Sequence, residues 1–200
     1  MTTAAARWRA VRDEIDAECV RLGRDPRAVT LIVVTKFHPV SMIEELWEAG
    51  VRDFGESRHQ DAVLKADELA GKDLNWHFVG QVQSNKARAI ARYADAIHSL
   101  DRDSVIDALV TSEHRVDGFI ELNLTDDPGR GGASTADEML RLAERISATD
   151  TIELLGVMAV APIDEDPARA FEKVETFSQI VQQAHPSAKY QSLRCPRPRS

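Results

Sequence analysis

The 200 residues predict an α/β fold in which short strands alternate with amphipathic helices, with a TIM-type (β/α)8 barrel favoured over an open doubly wound sheet. Short β-branched runs without polar alternation, such as Leu31-Ile32-Val33-Val34-Thr35, read as parallel strands buried on both faces. Segments with apolar residues at helical spacing lie between them. No Gly-x-Gly-x-x-Gly follows the first strand, which lowers the dinucleotide-binding form of the doubly wound sheet. A complete barrel takes about 250 residues, so an incomplete one of about seven strands, the eighth missing, is expected.

Trp8, Val11, Ile15, Cys19 and Leu22 recur at helical spacing and predict an opening helix over residues 4–22, ended by Gly23. After the strand at Leu31–Thr35, Ser41 and Glu44 form a capping-box pattern for a helix that carries Met42, Ile43, Leu46 and Trp47 and stops at Gly50. A strand at Val51–Phe54, a helix at Gln60–Leu69, a strand at Trp76–Val79 and a helix at Ser84–Tyr93 continue the alternation. Then come a strand at Ala96–Ser99, a helix at Ser104–Leu109, a strand at Gly118–Leu124 and a helix capped by Thr135 with Glu138. A strand at Glu153–Val160 precedes a long helix after Pro167, with Phe171, Val174, Phe177 and Val181 on one face, and Lys189–Leu193 reads as a seventh strand.

No Gly/Ser linker interrupts this pattern, so residues 1–193 are expected to form a single domain. Arg194, Arg197 and Arg199 with Pro196 and Pro198 suit neither strand nor helix, and residues 194–200 are expected to be irregular.

Hydrophobic residues make up 43% and charged residues 29%, the composition of a soluble globular chain. A net charge of −8 with scattered Lys and Arg argues against nucleic acid as the main ligand, because counterion release needs a basic surface. Cys19 and Cys195 match no metal-ligand spacing, which leaves a reducing cytoplasm as the expected compartment. No apolar run approaches the length of a membrane span, and Met1–Arg9 has no signal-like apolar core. No membrane partner is expected, and the chain is expected to be a monomer.

Lys36 is the sharpest chemical feature. It follows the first strand, where a barrel delivers side chains to its C-terminal mouth. Burial at such a rim disfavours an ammonium, and the neutral amine can form a Schiff base with an aldehyde. A lysine that simply points to water fits the same pattern. His77 can serve as a base or face a cofactor ring, or be a hydrogen-bonded core histidine. Ser84 and Asn85 read foremost as caps. Asp126-Asp127-Pro128-Gly129-Arg130-Gly131-Gly132 is glycine-rich, but its paired carboxylates would repel a phosphate, so a mobile loop is expected there. Met158 reads as core filler near the end of the sixth strand. Ser57, His77 and Met158 each occupy or follow the C-terminal end of a strand, so all three are expected on one rim with Lys36. No Ser-His-Asp order, paired metal ligands or Walker loop is found.

Five motifs stand in register from about residue 5 to residue 190: Val33-Val34-Thr35-Lys36; Phe54-Gly55-Glu56-Ser57-Arg58; Trp76-His77-Phe78-Val79-Gly80 with Gln83-Ser84-Asn85-Lys86; Ile97-His98-Ser99-Leu100-Asp101; and Gly156-Val157-Met158-Ala159. Together they closely resemble the pyridoxal phosphate homeostasis family, also called the YggS or proline synthetase co-transcribed family. The resemblance implies a fold similar to the N-terminal barrel of alanine racemase without its second domain. It also implies pyridoxal 5′-phosphate (PLP) held as a Schiff base on the lysine matching Lys36, with Ser57, His77 and Met158 as further cofactor-binding residues. The implied role is non-catalytic: intracellular buffering or delivery of PLP, with PLP-dependent client enzymes as partners. Racemase chemistry needs a second acid/base on the opposite face of the cofactor, which in alanine racemase comes from the part of the chain absent here.

Two departures stand out. The family has Asn where this chain has Ser57. After the seventh strand it continues with Ser-x-Gly-Met-Ser and an Arg-x-Gly phosphate motif, whereas this chain reads Ser192-Leu193-Arg194-Cys195-Pro196-Arg197-Pro198-Arg199-Ser200. Loss of the phosphate site and weakened PLP affinity are therefore expected. Because Arg194-Cys195-Pro196 can encode Met-Ser in another frame, a frameshift is suspected. A racemase-like PLP enzyme and a defective, cofactor-free frameshift product stay open as alternatives.

Overall fold

Thr3 caps the first helix, α1 (Ala4–Arg21), its hydroxyl accepting from the Ala6 amide. Gly23 ends that helix at φ 68°, and the amides of Gly23 and Arg24 return to the carbonyls of Val20 and Cys19 in a Schellman closure. The same closure ends α2 (Val40–Glu48): Gly50, at φ 106°, donates to Trp47, and Val51 donates to Leu46. These are the helix stops expected at Gly23 and Gly50. The structure, a computed structural model, describes residues 2–125, 127 and 129–194, and these fall into two compact units divided between residues 77 and 78.

The first unit carries α1, β1 (Val33–Val34), α2, β2 (Asp53–Glu56), α3 (His59–Glu68) and β3 (Asn75–Phe78), whose last residue opens the second unit. β1 runs parallel to β2, with Val33 opposite Phe54 and Val34 opposite Gly55. Phe54 is fully buried and lies 6.1 Å, ring to ring, from Trp76 of β3.

Three sequence expectations need correction here. The first strand is two residues long rather than Leu31–Thr35, and it is not buried on both faces, since Val34 is 36% exposed. Among the described residues β1 pairs only with β2, so it behaves as an edge strand. β2 begins at Asp53 rather than Val51, because the Val51 amide is spent on the Leu46 carbonyl. The Ser41–Glu44 capping box does not form: the helix starts two residues earlier, after Pro39, and among the described residues no side chain caps it.

The second unit continues with α4 (Ala87–Ala91), β4 (Ala96–Leu100), α5 (Asp103–Val110), β5 (Val116–Leu122), α6 (Ala136–Ser147), β6 (Ile152–Val160), α7 (Pro167–Ala184) and β7 (Tyr190–Arg194). β4 to β7 are neighbours in chain order and all parallel, as strand-helix-strand crossovers dictate. Alternate residues Ile120 and Leu122 of β5 and Val157 and Ala159 of β6 face the helices. There they pack with Ile106, Leu142, Ile146, Val174 and Val181. Ser84 and Asn85, expected as caps, lie at a 3-10 turn over Ser84–Lys86 whose N-terminus no side chain caps. Thr135 does cap α6, accepting from Glu138. Arg194, expected to open an irregular tail, closes β7 instead, paired with Val160; the rest of that tail, from Cys195 on, falls outside the described residues, and so do Asp126 and Pro128 of the expected mobile loop.

Gly156 is the tightest point of this unit. It takes φ 155° opposite Tyr190, and a Cβ built on it would lie 1.8 Å from the Tyr190 carbonyl oxygen. Gly156→Ala is therefore expected to push β7 off β6 and cost at least about 2 kcal/mol in urea unfolding followed by circular dichroism. An unchanged midpoint would show that the two strands do not meet at this register.

Candidate cofactor site

Strand parity sorts the first unit's residues. Phe54 and Glu56 of β2 share one side, and Asp53 and Gly55 share the other. Glu56 belongs to the side covered by α3, where its carboxylate is 1% exposed. Its Oε1 accepts from the Thr35 hydroxyl at 2.8 Å and from the Lys65 ammonium of α3 at 2.6 Å. Lys65, 8% exposed, also donates to the Thr35 carbonyl at 2.9 Å. Among the described residues Glu56 Oε2, which is buried, has no hydrogen-bond partner.

Lys36 comes next in the chain. Thr35 accepts from the His38 amide at 3.0 Å, closing a turn whose second and third residues are Lys36 and Phe37. Phe37 sits at φ 67°, the left-handed value that a type II turn requires and that Gly normally supplies. Its ring is 71% exposed, with Lys36 Nζ 5.8 Å and the Arg58 guanidinium 5.6 Å from its centre. Lys36 is half-buried, two residues past β1, and Ser57 is half-buried one residue past β2. Both therefore follow the C-terminal ends of adjacent parallel strands. Among the described residues no carboxylate is paired with Lys36, whereas Lys65 is tied to one.

His77 lies within β3, and its Nε2 is 3.1 Å from Asp53 Oδ1, at the first residue of β2. The hydrogen bond from His77 holds the Asp53 carboxyl below its ordinary range, against burial, and Asn75 assists at 3.1 Å. The His77 ring is thus hydrogen-bonded at Nε2. Lys36 and Ser57 follow the ends of two paired strands, while the His77 ring is engaged at the start of β2.

Met158 belongs to the second unit. It is 6% exposed, and its register partners are Glu121 on β5 and Ser192 on β7. These positions form one row on the face turned away from the helices. His98 stands on that face as well, its ring stacked on Phe119 at 4.6 Å and its Nδ1 2.7 Å from the Ser192 hydroxyl. Burial pushes the Glu121 carboxyl up to about 7; the nearby Asp101 charge adds to this, and Arg130 and Arg102 oppose it. Asp101 is itself gripped by Arg102 at 2.6 Å. The stretch after β5 is folded back by Asn123, whose amide donates to the carbonyls of Asp127 and Arg130. Among the described residues no cluster of His, Cys, Asp and Glu could hold a metal ion, and no helix is long and apolar enough to cross a membrane.

Glu56, Lys65, Glu121 and His98 carry much of this polar framework, yet sequence reasoning assigned them no role. A signal was present for Lys65. It stands three residues after Ala62 and four before Leu69, both buried, so it falls on the buried stripe of α3.

The alanine racemase N-terminal domain family matches residues 12–195. A curated relative from Corynebacterium glutamicum, named pyridoxal phosphate homeostasis protein, is 39% identical over 170 residues, covering 80% of this chain and 76% of its own. The chain belongs to the pyridoxal phosphate homeostasis family. The Escherichia coli member is 35% identical over 169 residues, covering 81% and 72%. Among solved structures, PipY of Synechococcus elongatus with PLP bound superposes at TM-score 0.74 with 29% identity, covering 90% of this chain and 86% of that one. Alanine racemase from C. glutamicum superposes at TM-score 0.64 with 14% identity, over 82% of this chain and 48% of the racemase, which shows a shared fold. Family membership thus establishes the barrel-type α/β fold of the alanine racemase N-terminal domain that the strand-helix alternation predicted.

Two predictions follow the geometry. Glu121 holds its proton more tightly folded than unfolded. Its contribution to stability is full below its ordinary value of 4.5 and is lost as pH rises through about 7. Glu121→Gln, which cannot ionise, is expected to gain on the native chain between about pH 5 and pH 8, by on the order of 2 kcal/mol in paired urea titrations. Equal pH profiles would contradict the buried carboxyl. At Phe37, where backbone conformation outweighs burial, Gly is expected to leave stability within about 1 kcal/mol, and Val to lower it by about 1–2 kcal/mol. Thermal melts that rank Val above Gly would contradict the left-handed turn.

Proposed function

We propose that this chain binds PLP through Lys36 and serves intracellular PLP homeostasis without catalytic turnover. The observation that carries the reading is the solved PipY structure with PLP bound, which covers 90% of this chain. The first unit's geometry supports Lys36 as the anchor. Its amine ends a parallel strand, half-buried and free of a carboxylate partner, while Lys65 is spent on Glu56 and Thr35. PLP supplies an aldehyde, and the Lys36 amine adds to its carbon with loss of water to give the Schiff base. Ser57, beside Lys36 at the strand ends, is the polar side chain placed to contact the cofactor in this unit. Met158 supplies apolar wall within the second unit, and His77, through Asp53, braces β3 against β2.

A store that binds and releases cofactor needs a reversible covalent bond and no second acid/base. We place the chain in the cytoplasm as a monomer, with PLP-dependent enzymes as the recipients. The buried free thiol of Cys19 is in keeping with a reducing compartment.

The test is spectroscopic. The purified chain with PLP added is expected to show the visible band of a lysine Schiff base, and Lys36→Ala to lose it. Borohydride reduction with peptide mapping is expected to place the label on Lys36, and incubation with single alanine enantiomers to leave them unchanged. A label on Lys86 or Lys65, or no band in the native chain, would contradict the anchor; racemisation would contradict the non-catalytic role.

A further inference from the structure

We propose that Glu56 and Lys65 are positioning residues for Lys36: the buried pair clamps Thr35, the residue from which the Lys36 turn springs. The inference rests on the reading of Lys36 as the cofactor anchor. Thr35 is held at every polar atom it has. Its amide donates to Gly55 at 2.9 Å, its hydroxyl to Glu56 at 2.8 Å, and its carbonyl accepts both the His38 amide at 3.0 Å and the Lys65 ammonium at 2.9 Å. One of these four bonds belongs to the strand ladder and one to the turn; the other two come from the ion pair.

Stability alone gives no reason for this arrangement. A buried ion pair is commonly no better than two well-packed apolar side chains in its place. This pair also leaves Glu56 Oε2 buried and, among the described residues, unpartnered, a cost that an apolar core would avoid. What the pair adds is direction. β1 is only two residues long, and the turn after it holds Phe37 at a left-handed φ of 67°, a conformation that persists only where surrounding structure over-determines it. The clamp supplies that over-determination one residue before Lys36, from the helix-covered side, and leaves the Lys36 amine itself unencumbered. It works through Thr35 and does not touch the cofactor.

The decisive variant replaces both charges, Glu56→Met with Lys65→Met, so that no lone ion is buried. The cofactor-free protein is expected to keep its circular dichroism spectrum while amide hydrogen exchange over residues 35–38 speeds up. PLP affinity, read from the visible band, is expected to fall on the order of tenfold or more, as when an outer support of a ligand is removed. Thr35→Val, which keeps the pair and removes only the hydroxyl bond, is expected to fall part of the way and serves as the test if the double variant does not fold. Native exchange and native affinity in the folded double variant, or in Thr35→Val if it alone folds, would overturn the clamp. A native chain lacking any band that Lys36→Ala removes would instead overturn the anchor, and the exchange measurement on cofactor-free protein would still decide the clamp.

Discussion

A carboxylate taken out of water has to find its donors inside the protein, and the way Glu56 does so organises the first unit. It sits at 1% exposure against α3 and draws in the Lys65 ammonium and the Thr35 hydroxyl. Through them β1, β2 and α3 are joined at the C-terminal ends of their strands, where parallel α/β folds keep their chemistry. Lys36 and Ser57 are the next residues in the chain, in the segments that follow β1 and β2.

The second unit solves a related problem with more hydrophobic material. Ile120, Leu122, Val157 and Ala159 carry the helix-facing side of its sheet, and the opposite side holds a row of polar and polarisable groups: His98 on Phe119, Ser192 against His98, and Met158 between Glu121 and Ser192. A carboxyl pushed up to about 7 in such a row is the mark of a group kept from water by the fold rather than by a partner.

Most elements were legible because they announce themselves locally. Gly23 and Gly50 stop helices by Schellman closure, Thr135 caps α6, and the apolar face of α7 keeps its period, with Val174 and Val181 buried. The misses come from tertiary context. Leu31–Thr35 has the composition of a fully buried strand but only the pairing of an edge. Ser41 and Glu44 have the spacing of a capping box, yet Pro39 sets the start two residues earlier. Lys36 and Ser57, the candidate site residues of the first unit, stand out in the sequence by their places after strands. The Glu56–Lys65 pair does not, since its partners are nine residues apart and belong to different elements. Only the spacing of Lys65 between Ala62 and Leu69 hinted that a charge had been sent inward.

Membership in the pyridoxal phosphate homeostasis family and the fold shared with alanine racemase give this chain a barrel-type scaffold, with Lys36 two residues past its first strand. Under the proposed reading the Lys36 amine provides reversible attachment, and the proposed clamp on Thr35 gives that attachment a fixed direction. The most direct test is a crystal structure of the protein soaked with PLP. The account predicts continuous electron density from Lys36 Nζ to the cofactor's aldehyde carbon, with the Thr35, Glu56 and Lys65 contacts intact beneath it. Density joined to any other lysine, or cofactor bound with the Lys36 amine free, would contradict it.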